Sequence, residues 1–192
     1  MTVLRFDDLK AVPWKNGLGV TREIAVEPAG ALVNDFLWRV SIADVDTASP
    51  FSTFPGIDRT IVLLEGDGFT MTLDGEREHA LTTPLAPFDF PGEARVDVTL
   101  AGGATRDFNV MVRRGVRRGR VDVVHGPISA TLANDAVLLH VARGEARVDG
   151  QVCRQGDSVV GQACSEGDLV VAPRHIELPR GATVIVVVVG EA

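Results

Sequence analysis

Two glycine turns set in the same order of strands decide the fold of this 192-residue chain. Leu63-Leu64-Glu65-Gly66 is followed by an alternating stretch at 69–73 and by Asp74-Gly75, and this order recurs as Val141-Ala142-Arg143-Gly144, 146–148 and Asp149-Gly150. A strand, a tight turn, a strand and an Asp-Gly turn in both halves indicate an internal repeat. We therefore predict two copies of a jelly-roll unit.

Short strands fill the chain on both sides of these patterns. Alternating or β-branched stretches bounded by Gly, Pro and Asp predict strands at 21–26, 36–42, 60–64, 69–73, 95–100, 108–112, 121–124, 136–142, 146–148, 168–171 and 182–189. No stretch has the periodicity of a long amphipathic helix. The expected class is all-β, a sandwich or small barrel, with domains at 1–117 and 118–192 and an N-terminal segment that packs on both.

The composition argues against several classes of partner. A net charge of −7 disfavours nucleic acid, because phosphate binding needs an electropositive face. A solvated strand or linker accounts for the one basic cluster, which comprises Arg113, Arg114, Arg117, Arg118 and Arg120. The valine-rich run at 184–189 is too short to cross a membrane and predicts a buried strand. We predict neither a nucleic-acid partner nor a membrane.

The two cysteines and the N-terminus favour a cytoplasmic protein. Residues 1–10 mix charged and apolar side chains and lack the apolar core of a signal peptide. Cys153 and Cys164 flank a hairpin that a disulfide could bridge. In a chain with no secretory segment, however, we interpret them as buried thiols.

The segment Trp14-Lys15-Asn16-Gly17-Leu18-Gly19-Val20-Thr21-Arg22-Glu23 carries unusually dense and mixed chemistry. Its apolar residues fit neither a helical stripe nor a long strand alternation. The glycines allow a tight turn or the close approach of a partner. Such chemistry on a loop favours a functional site. The alternative is a turn that leads into a strand at 21–26, with Trp14 filling the core.

These patterns resemble a known superfamily. The strand, Glu-Gly, strand, Asp-Gly order resembles the cupins, and five further motifs resemble the HutD/Ves family of bicupins, which is associated with histidine utilisation. The motifs are Pro13-Trp14-Lys15-Asn16-Gly17, Thr21-Arg22-Glu23-Ile24, Trp38-Arg39-Val40-Ser41-Ile42-Ala43, Gly56-Ile57-Asp58-Arg59-Thr60 and Arg106-Asp107-Phe108-Asn109-Val110-Met111. The resemblance implies a double-stranded β-helix (jelly-roll) bicupin and a link to histidine breakdown. It implies no particular reaction.

The resemblance also implies where a cupin metal would bind. Aligned on the first glycine turn, the three ligand positions before the strand hold Thr53, Pro55 and Arg59. Thr and Pro are not normal ligands at such positions, and a guanidinium repels a cation at short range. We predict no metal and no other cofactor.

The histidines do not restore a metal site. No two of His79, His125, His140 and His175 have the two- or four-residue spacing of a local metal pair. We expect His79 in a charged turn facing water and His140 as a hydrogen-bonded strand residue. His175 is the best single candidate ligand, and alone it leaves most coordination positions empty.

Without a metal, the predicted barrel still has polar side chains on its inner face. Arg39 and Ser41 share one side of their strand, because residues two apart point the same way. Asp107, Asn109 and Met111 also share a side by this rule. We expect Arg39, Ser41 and Arg59 to point inward together with one of the two sides of the 107–111 strand.

An arginine on this face suits a carboxylate ligand. A bidentate guanidinium would hold the carboxylate, while Asn109 and Ser41 would satisfy its other polar groups. In the alternative interpretation Arg39 or Arg59 simply forms a buried ion pair with Asp107 or Glu23.

We therefore predict a metal-independent bicupin that binds a small anionic metabolite of histidine breakdown in a sensing or regulatory role. The predicted ligand-binding residues are Trp14, Lys15, Asn16, Thr21, Glu23, Arg39, Ser41, Phe51, Arg59, Asp107 and Asn109. Two alternatives stay open. One is a metal-free isomerase or hydrolase with Glu23 or Lys15 as acid or base. The other is an interaction module whose exposed valine-rich edge strand forms a homodimer.

Overall fold

The computed structural model describes residues 2–14, 16–32, 35–163, 169–170 and 173–192, which form strands and one short 3-10 turn at Phe6–Asp8. In chain order the strands are β1 (Thr2–Leu4), β2 (Ala11–Pro13), β3 (Gly19–Glu27), β4 (Trp38–Val45), β5 (Ile57–Glu65), β6 (Phe69–Leu73), β7 (Arg77–Leu81), β8 (Phe88–Pro91), β9 (Val96–Leu100), β10 (Thr105–Arg113), β11 (Arg117–His125), β12 (Ile128–Leu132), β13 (Ala136–Arg143), β14 (Glu145–Val148), β15 (Gln151–Arg154), β16 (Ser158–Val160), β17 (Gln162–Ala163), β18 (Leu169–Val170), β19 (Arg174–Leu178) and β20 (Thr183–Glu191). The all-β prediction is confirmed.

The described chain divides into two compact units. Residues 10–118 form the first unit, and residues 2–9 together with 119–191 form the second. The short N-terminal segment belongs to the second unit because β1 pairs with β16 and Arg5 forms an ion pair with Asp157. The predicted boundary at 117 adjoins this division, whereas the bicupin arrangement stays a prediction.

Two antiparallel sheets make up the first unit. Six strands lie in the order β2-β3-β4-β10-β5-β8, and three more lie in the order β7-β6-β9. Buried apolar side chains from both sheets form one cluster, which includes Ile61, Leu63, Phe69, Met71 and Phe90. Because Ile61 and Leu63 project into this cluster, their side of the six-stranded sheet is its inner face. The site described below is built on that face.

The second unit has its own sheets and core. Five strands lie in the order β1-β16-β13-β20-β11 and four in the order β12-β19-β14-β15, while β17 pairs with β18. Its core includes Leu139, Val141, Val148, Ile176 and Val184. Alternate residues of adjoining strands thus pack inward, as in a two-sheet β-structure.

The valine-rich run at 184–189 lies in a buried internal strand, as predicted. The valine-rich strand β20 lies between β13 and β11, so its backbone is paired on both sides. Val184 and Ile185, on opposite faces of that strand, are both 0% exposed. A strand with apolar residues on both faces is stable only where both faces are covered, which excludes an exposed edge.

Two further sequence predictions concern the membrane and the thiols. None of the helices in the described part of the chain has the length and apolarity to cross a bilayer. Cys153 is a free, fully buried thiol, and burial raises its pKa. Cys164 lies outside the described residues, as do the ends of the strand predicted at 168–171.

Candidate functional site

Strand register brings most of the predicted polar residues onto the inner face of the first unit. On β10, Asn109 lies opposite Ser41 of β4 and Ile61 of β5. Two residues further along, Met111 lies opposite Arg39 and Arg59. Directly opposed residues share a face of the sheet. All of these side chains therefore project toward the side on which Ile61 enters the core.

The face continues through the neighbouring strands. Asp107 lies opposite Ala43 and Leu63, so it shares the side of Asn109. On β3, Thr21 lies opposite Ala43 and Glu23 lies opposite Ser41. The register thus joins seven predicted residues, which are Thr21, Glu23, Arg39, Ser41, Arg59, Asp107 and Asn109.

Arg59 is a buried cation with no carboxylate partner among the described residues. It is 7% exposed, and within the described residues its side chain forms two long hydrogen bonds: Nη1 donates to the Ser52 carbonyl at 3.4 Å, and Nη2 donates to Asn109 Oδ1 at 3.5 Å. Its Nε has no hydrogen-bond partner in the described part of the chain. Burial and the nearby charge of Arg39 lower the pKa of Arg59 to about 10, so the guanidinium remains charged at neutral pH.

Aromatic rings surround the Arg59 guanidinium. Its central carbon lies 4.8 Å from the ring centroid of Phe90, 5.1 Å from that of Phe51 and 5.4 Å from that of Phe54. Phe51 is one of the predicted ligand-binding residues, whereas Phe90 is not. Phe90 lies opposite Arg59 in the β5–β8 pairing, and no local pattern reveals which strand pairs with β5.

Asp107 is the second buried ionisable group of this face. The residue is 1% exposed, and neither carboxyl oxygen has a hydrogen-bond partner among the described residues. Burial, with a smaller contribution from the negative charge of Asp44, raises the pKa of Asp107 to about 8. This carboxyl is therefore mostly protonated at neutral pH.

An ion pair lies on the solvent-exposed side of the inner face. Arg39 Nε donates to Glu23 Oε2 at 2.7 Å, and the two side chains are 18% and 44% exposed. The ion-pair interpretation therefore holds for Arg39. It does not hold for Arg59, which has no such partner in the described ranges. Exposure decreases from Glu23 through Arg39 to Asn109 and Asp107, which gives the face an open and a closed end.

Trp14 and residues 16–19 form a hydrogen-bonded turn that leads into β3, whereas Thr21 and Glu23 of the same segment lie on the inner face. Trp14 Nε1 donates to Thr21 Oγ1 at 2.8 Å, and the Trp14 amide donates to the Gly19 carbonyl at 2.9 Å. Asn16 is exposed, donates to Ser49 Oγ at 2.9 Å and accepts from the Leu18 amide at 3.1 Å. These contacts give Trp14 and Asn16 structural partners. Lys15 lies outside the described residues.

The residues at the cupin metal positions do not fit a metal. Thr53 and Pro55 are exposed, and Arg59 brings a positive charge to the place of a ligand carboxylate. Nowhere in the described ranges do three or more His, Cys, Asp or Glu side chains cluster as ligands would. These residues give no support to a metal-dependent reaction at this position, and metal independence stays a prediction.

Two histidine expectations can be compared with their observed surroundings. His140 is 2% exposed and its Nδ1 lies 3.0 Å from Ser158 Oγ, so the hydrogen-bonded strand histidine is confirmed. The expectation for His79 is wrong. It lies within β7 and stacks on the Phe88 ring with a centroid distance of 3.5 Å, because this charged segment forms a strand rather than a turn.

His175 does not complete a catalytic site. It is exposed on β19, where its Nε2 lies 3.2 Å from Ser129 Oγ and 3.7 Å from Glu177 Oε1. A Ser-His-acid triad needs the acid on the opposite ring nitrogen. Here Nε2 lies near both Ser129 and Glu177, which argues against a Ser-His-acid triad.

A depression elsewhere on the first unit does not include the site. It has a volume of about 240 Å³ and is lined by Leu73, Asp74, Glu76, Arg77, Pro91 and Ala94. It contains none of the predicted residues and brings together no buried unpartnered group. The inner face is therefore the stronger candidate.

Comparison with known proteins identifies the family of this chain. The HutD family model matches residues 6–177, which is most of the chain. The chain belongs to the HutD family. A HutD-family relative from Pseudomonas putida, named as an uncharacterized 21.2 kDa protein in the hutC 3′ region, is 38% identical over 151 residues, covering 77% of each chain. Protein Ves of Cronobacter sakazakii is 39% identical over 139 residues, 70% of this chain and 75% of that protein.

Solved structures agree with this assignment. HutD from Pseudomonas fluorescens SBW25, determined in a formate condition, has a TM-score of 0.82 at 30% identity and covers 100% of this chain and 98% of that one. A cupin 2 barrel protein from Leptotrichia buccalis has a TM-score of 0.58 at 12% identity, covering 98% and 96%, which supports the fold alone. The family resemblance and the cupin-like fold are confirmed. The relatives' names link the HutD family to histidine utilisation.

Proposed function

We propose that this HutD-family protein binds a small anionic metabolite on the inner face of its first unit, without a metal. The buried and unpaired charge of Arg59 carries the proposal. Taking an unpaired ion out of water costs several kcal/mol, so buried charges in proteins are normally paired. A ligand carboxylate would supply the missing partner and could form two parallel hydrogen bonds with the guanidinium.

The surrounding groups suit such a ligand. Asn109 and Ser41 lie one residue pair along the strands from Arg59, toward Asp107, and offer neutral polar contacts. The rings of Phe51, Phe54 and Phe90 exclude water from the guanidinium, and a lower local dielectric strengthens its attraction for an anion. The family's link to histidine utilisation suggests a carboxylate-bearing or formylated intermediate, bound in a sensing or regulatory role.

The two alternatives gain less support. Glu23 is half-exposed and its carboxylate is already paired with Arg39, which gives no support to a role as general acid or base. The homodimer hypothesis cannot use β20, which is an internal strand, and it stays a prediction. No observation favours catalysis over binding.

A thermal-shift experiment tests the proposal. Chelator-treated protein is melted with carboxylates of histidine breakdown, including formylated ones, and a ligand present at 100 times its Kd should raise the Tm by about 5 to 10 °C. Arg59→Ala should abolish this shift while the protein still melts cooperatively.

Arg95→Ala is the matched control. Arg95 is an exposed arginine of the same unit whose side chain pairs with Asp97, so its loss should leave the ligand shift unchanged. The proposal is contradicted if no such carboxylate raises the Tm, or if Arg59→Ala responds like the unmodified protein.

A further inference from the structure

Asp107 is an unpartnered acid at the closed end of the inner face. Both of its carboxyl oxygens are buried without a hydrogen-bond partner in the described part of the chain. The side-chain amide of Asn109 donates at 3.5 Å to the backbone carbonyl of Asp107 and not to its carboxyl. The carboxyl therefore has unused hydrogen-bonding capacity directed into the face that holds Arg59.

The surroundings disfavour the ionised form of this carboxyl. Ala43 and Leu63, the residues directly opposite on β4 and β5, provide no donor. The charged groups that share the inner face on the neighbouring strands are Arg59 of β5, Arg39 of β4 and Glu23 of β3. Asp44 lies on the reverse side of β4, where it pairs with Arg22 and Arg106. Arg39 is committed to Glu23, Arg59 forms no ion pair with Asp107, and Asp44 repels a second negative charge. A neutral carboxylic acid is the form that suits this environment, in line with its pKa of about 8.

Arg59 and Asp107 lie close enough for one short ligand to contact both side chains. The Arg59 guanidinium lies 3.5 Å from Asn109 Oδ1. Asn109 and Asp107 are two positions apart on β10, a separation of about 7 Å along a strand. A short ligand lying along β10 can therefore reach both groups, with Asn109 beneath its middle.

We propose that Asp107 binds as a neutral acid and donates its O–H to an oxygen at the far end of the ligand, while Arg59 binds a carboxylate at the near end. This inference rests on the proposed anion binding and narrows the ligand class to short molecules with oxygen groups at both ends. A dicarboxylate and a carboxylate bearing a terminal carbonyl are the two members of that class. The proton on Asp107 comes from solvent and is not transferred to the ligand.

Calorimetric titration with glutarate and butyrate tests the inference. Both probes can place one carboxylate on Arg59, but only glutarate carries a second oxygen group for Asp107. We expect glutarate to bind more tightly at pH 6.5. Its association constant should fall about tenfold between pH 7 and pH 9 as Asp107 loses its proton, while that of butyrate stays level.

Asp107→Asn keeps the size of the side chain and retains a donor that cannot titrate. In this variant glutarate binding should no longer depend on pH over the same range. Asp89→Asn, which alters an exposed carboxyl bonded to Thr60, should keep the full dependence. Carbon-13 NMR of labelled aspartate should show one carboxyl titrating near pH 8 that is missing from Asp107→Asn.

The possible outcomes distinguish a failure of the proposed anion binding from a failure of the role proposed for Asp107. If neither probe binds at pH 6.5, the proposed anion binding fails and the inference fails with it. If both bind with equal affinity and equal pH profiles, anion binding stands and the role of Asp107 is overturned. Titration of Asp107 near pH 4 would also overturn that role, whatever binds at Arg59.

Discussion

Arg59 is held in place by weak contacts that do not replace a counterion. Each cation–π contact to a ring contributes roughly 1 kcal/mol, and the two hydrogen bonds are long. Burying an unpaired charge costs several kcal/mol. The protein therefore keeps this arginine at a cost in stability, as proteins do at functional sites.

This imbalance predicts a stabilising substitution. Arg59→Met removes the buried charge and keeps an unbranched side chain against the three rings, so the free energy of unfolding should rise by about 1 to 3 kcal/mol without ligand. Urea denaturation at pH 7 measures it. Arg39→Met breaks a partly exposed pair and should instead lose no more than about 1 kcal/mol. Destabilisation by Arg59→Met would show that the arginine has a structural role.

At this scale the sequence predicted the residues but not their partners. Two-residue spacing correctly placed Asp107 with Asn109, and the missing metal ligands drew attention to Arg59. Whether Arg59 or Arg39 takes up the available carboxylate depends on the register among β3, β4, β10 and β5. That register is set by long-range pairing and cannot be read from local patterns.

Among the elements, the loop before β3 and the strand β4 meet at unusually close range. A Cβ on Gly19 would lie 2.6 Å from the Asp44 carbonyl oxygen and 3.0 Å from the ring of Trp14. Only a residue without a side chain allows this approach. The glycine therefore fixes the position of Trp14 against the start of β3.

Gly19→Ala should lower the free energy of unfolding by about 1 to 3 kcal/mol, because the added methyl group must displace backbone or the Trp14 ring. Urea denaturation provides the measurement. At Gly103 an added Cβ would meet nothing within 4 Å, so Gly103→Ala should change stability by less than about 0.5 kcal/mol. Equal midpoints for the two variants would refute the close packing of this loop.

Strands were predicted correctly where apolar and polar residues clearly alternate, and they were missed where the residues are mostly charged. The patterns predicted strands at 60–64 and 108–112, and the observed strands are longer, Ile57–Glu65 and Thr105–Arg113. The strand β7 was missed because Arg77, Glu78 and His79 give no apolar signal. Its neighbour β6 holds it in the sheet, since pairing satisfies backbone groups whatever the side chains are.

On the scale of the whole molecule, the repeat correctly predicted an all-β chain, and the family resemblance correctly predicted HutD. Neither indicated that β1 pairs with β16, so that the first strand belongs to the unit formed by the end of the chain. Such pairing joins residues 2–4 to 158–160, and no local signal records it. The fold was thus more predictable than its strand connections.

The proposed anion site of this HutD-family protein is centred on Arg59 and needs no metal. Because Arg59 lies on the inner face together with Asn109 and Asp107, the proposal specifies where a ligand binds. The decisive measurement is a crystal structure of the chelator-treated protein with glutarate. We expect one carboxylate within hydrogen-bond distance of the Arg59 guanidinium and the other at Asp107. An empty inner face at saturating glutarate, or glutarate bound only elsewhere, would refute the proposal.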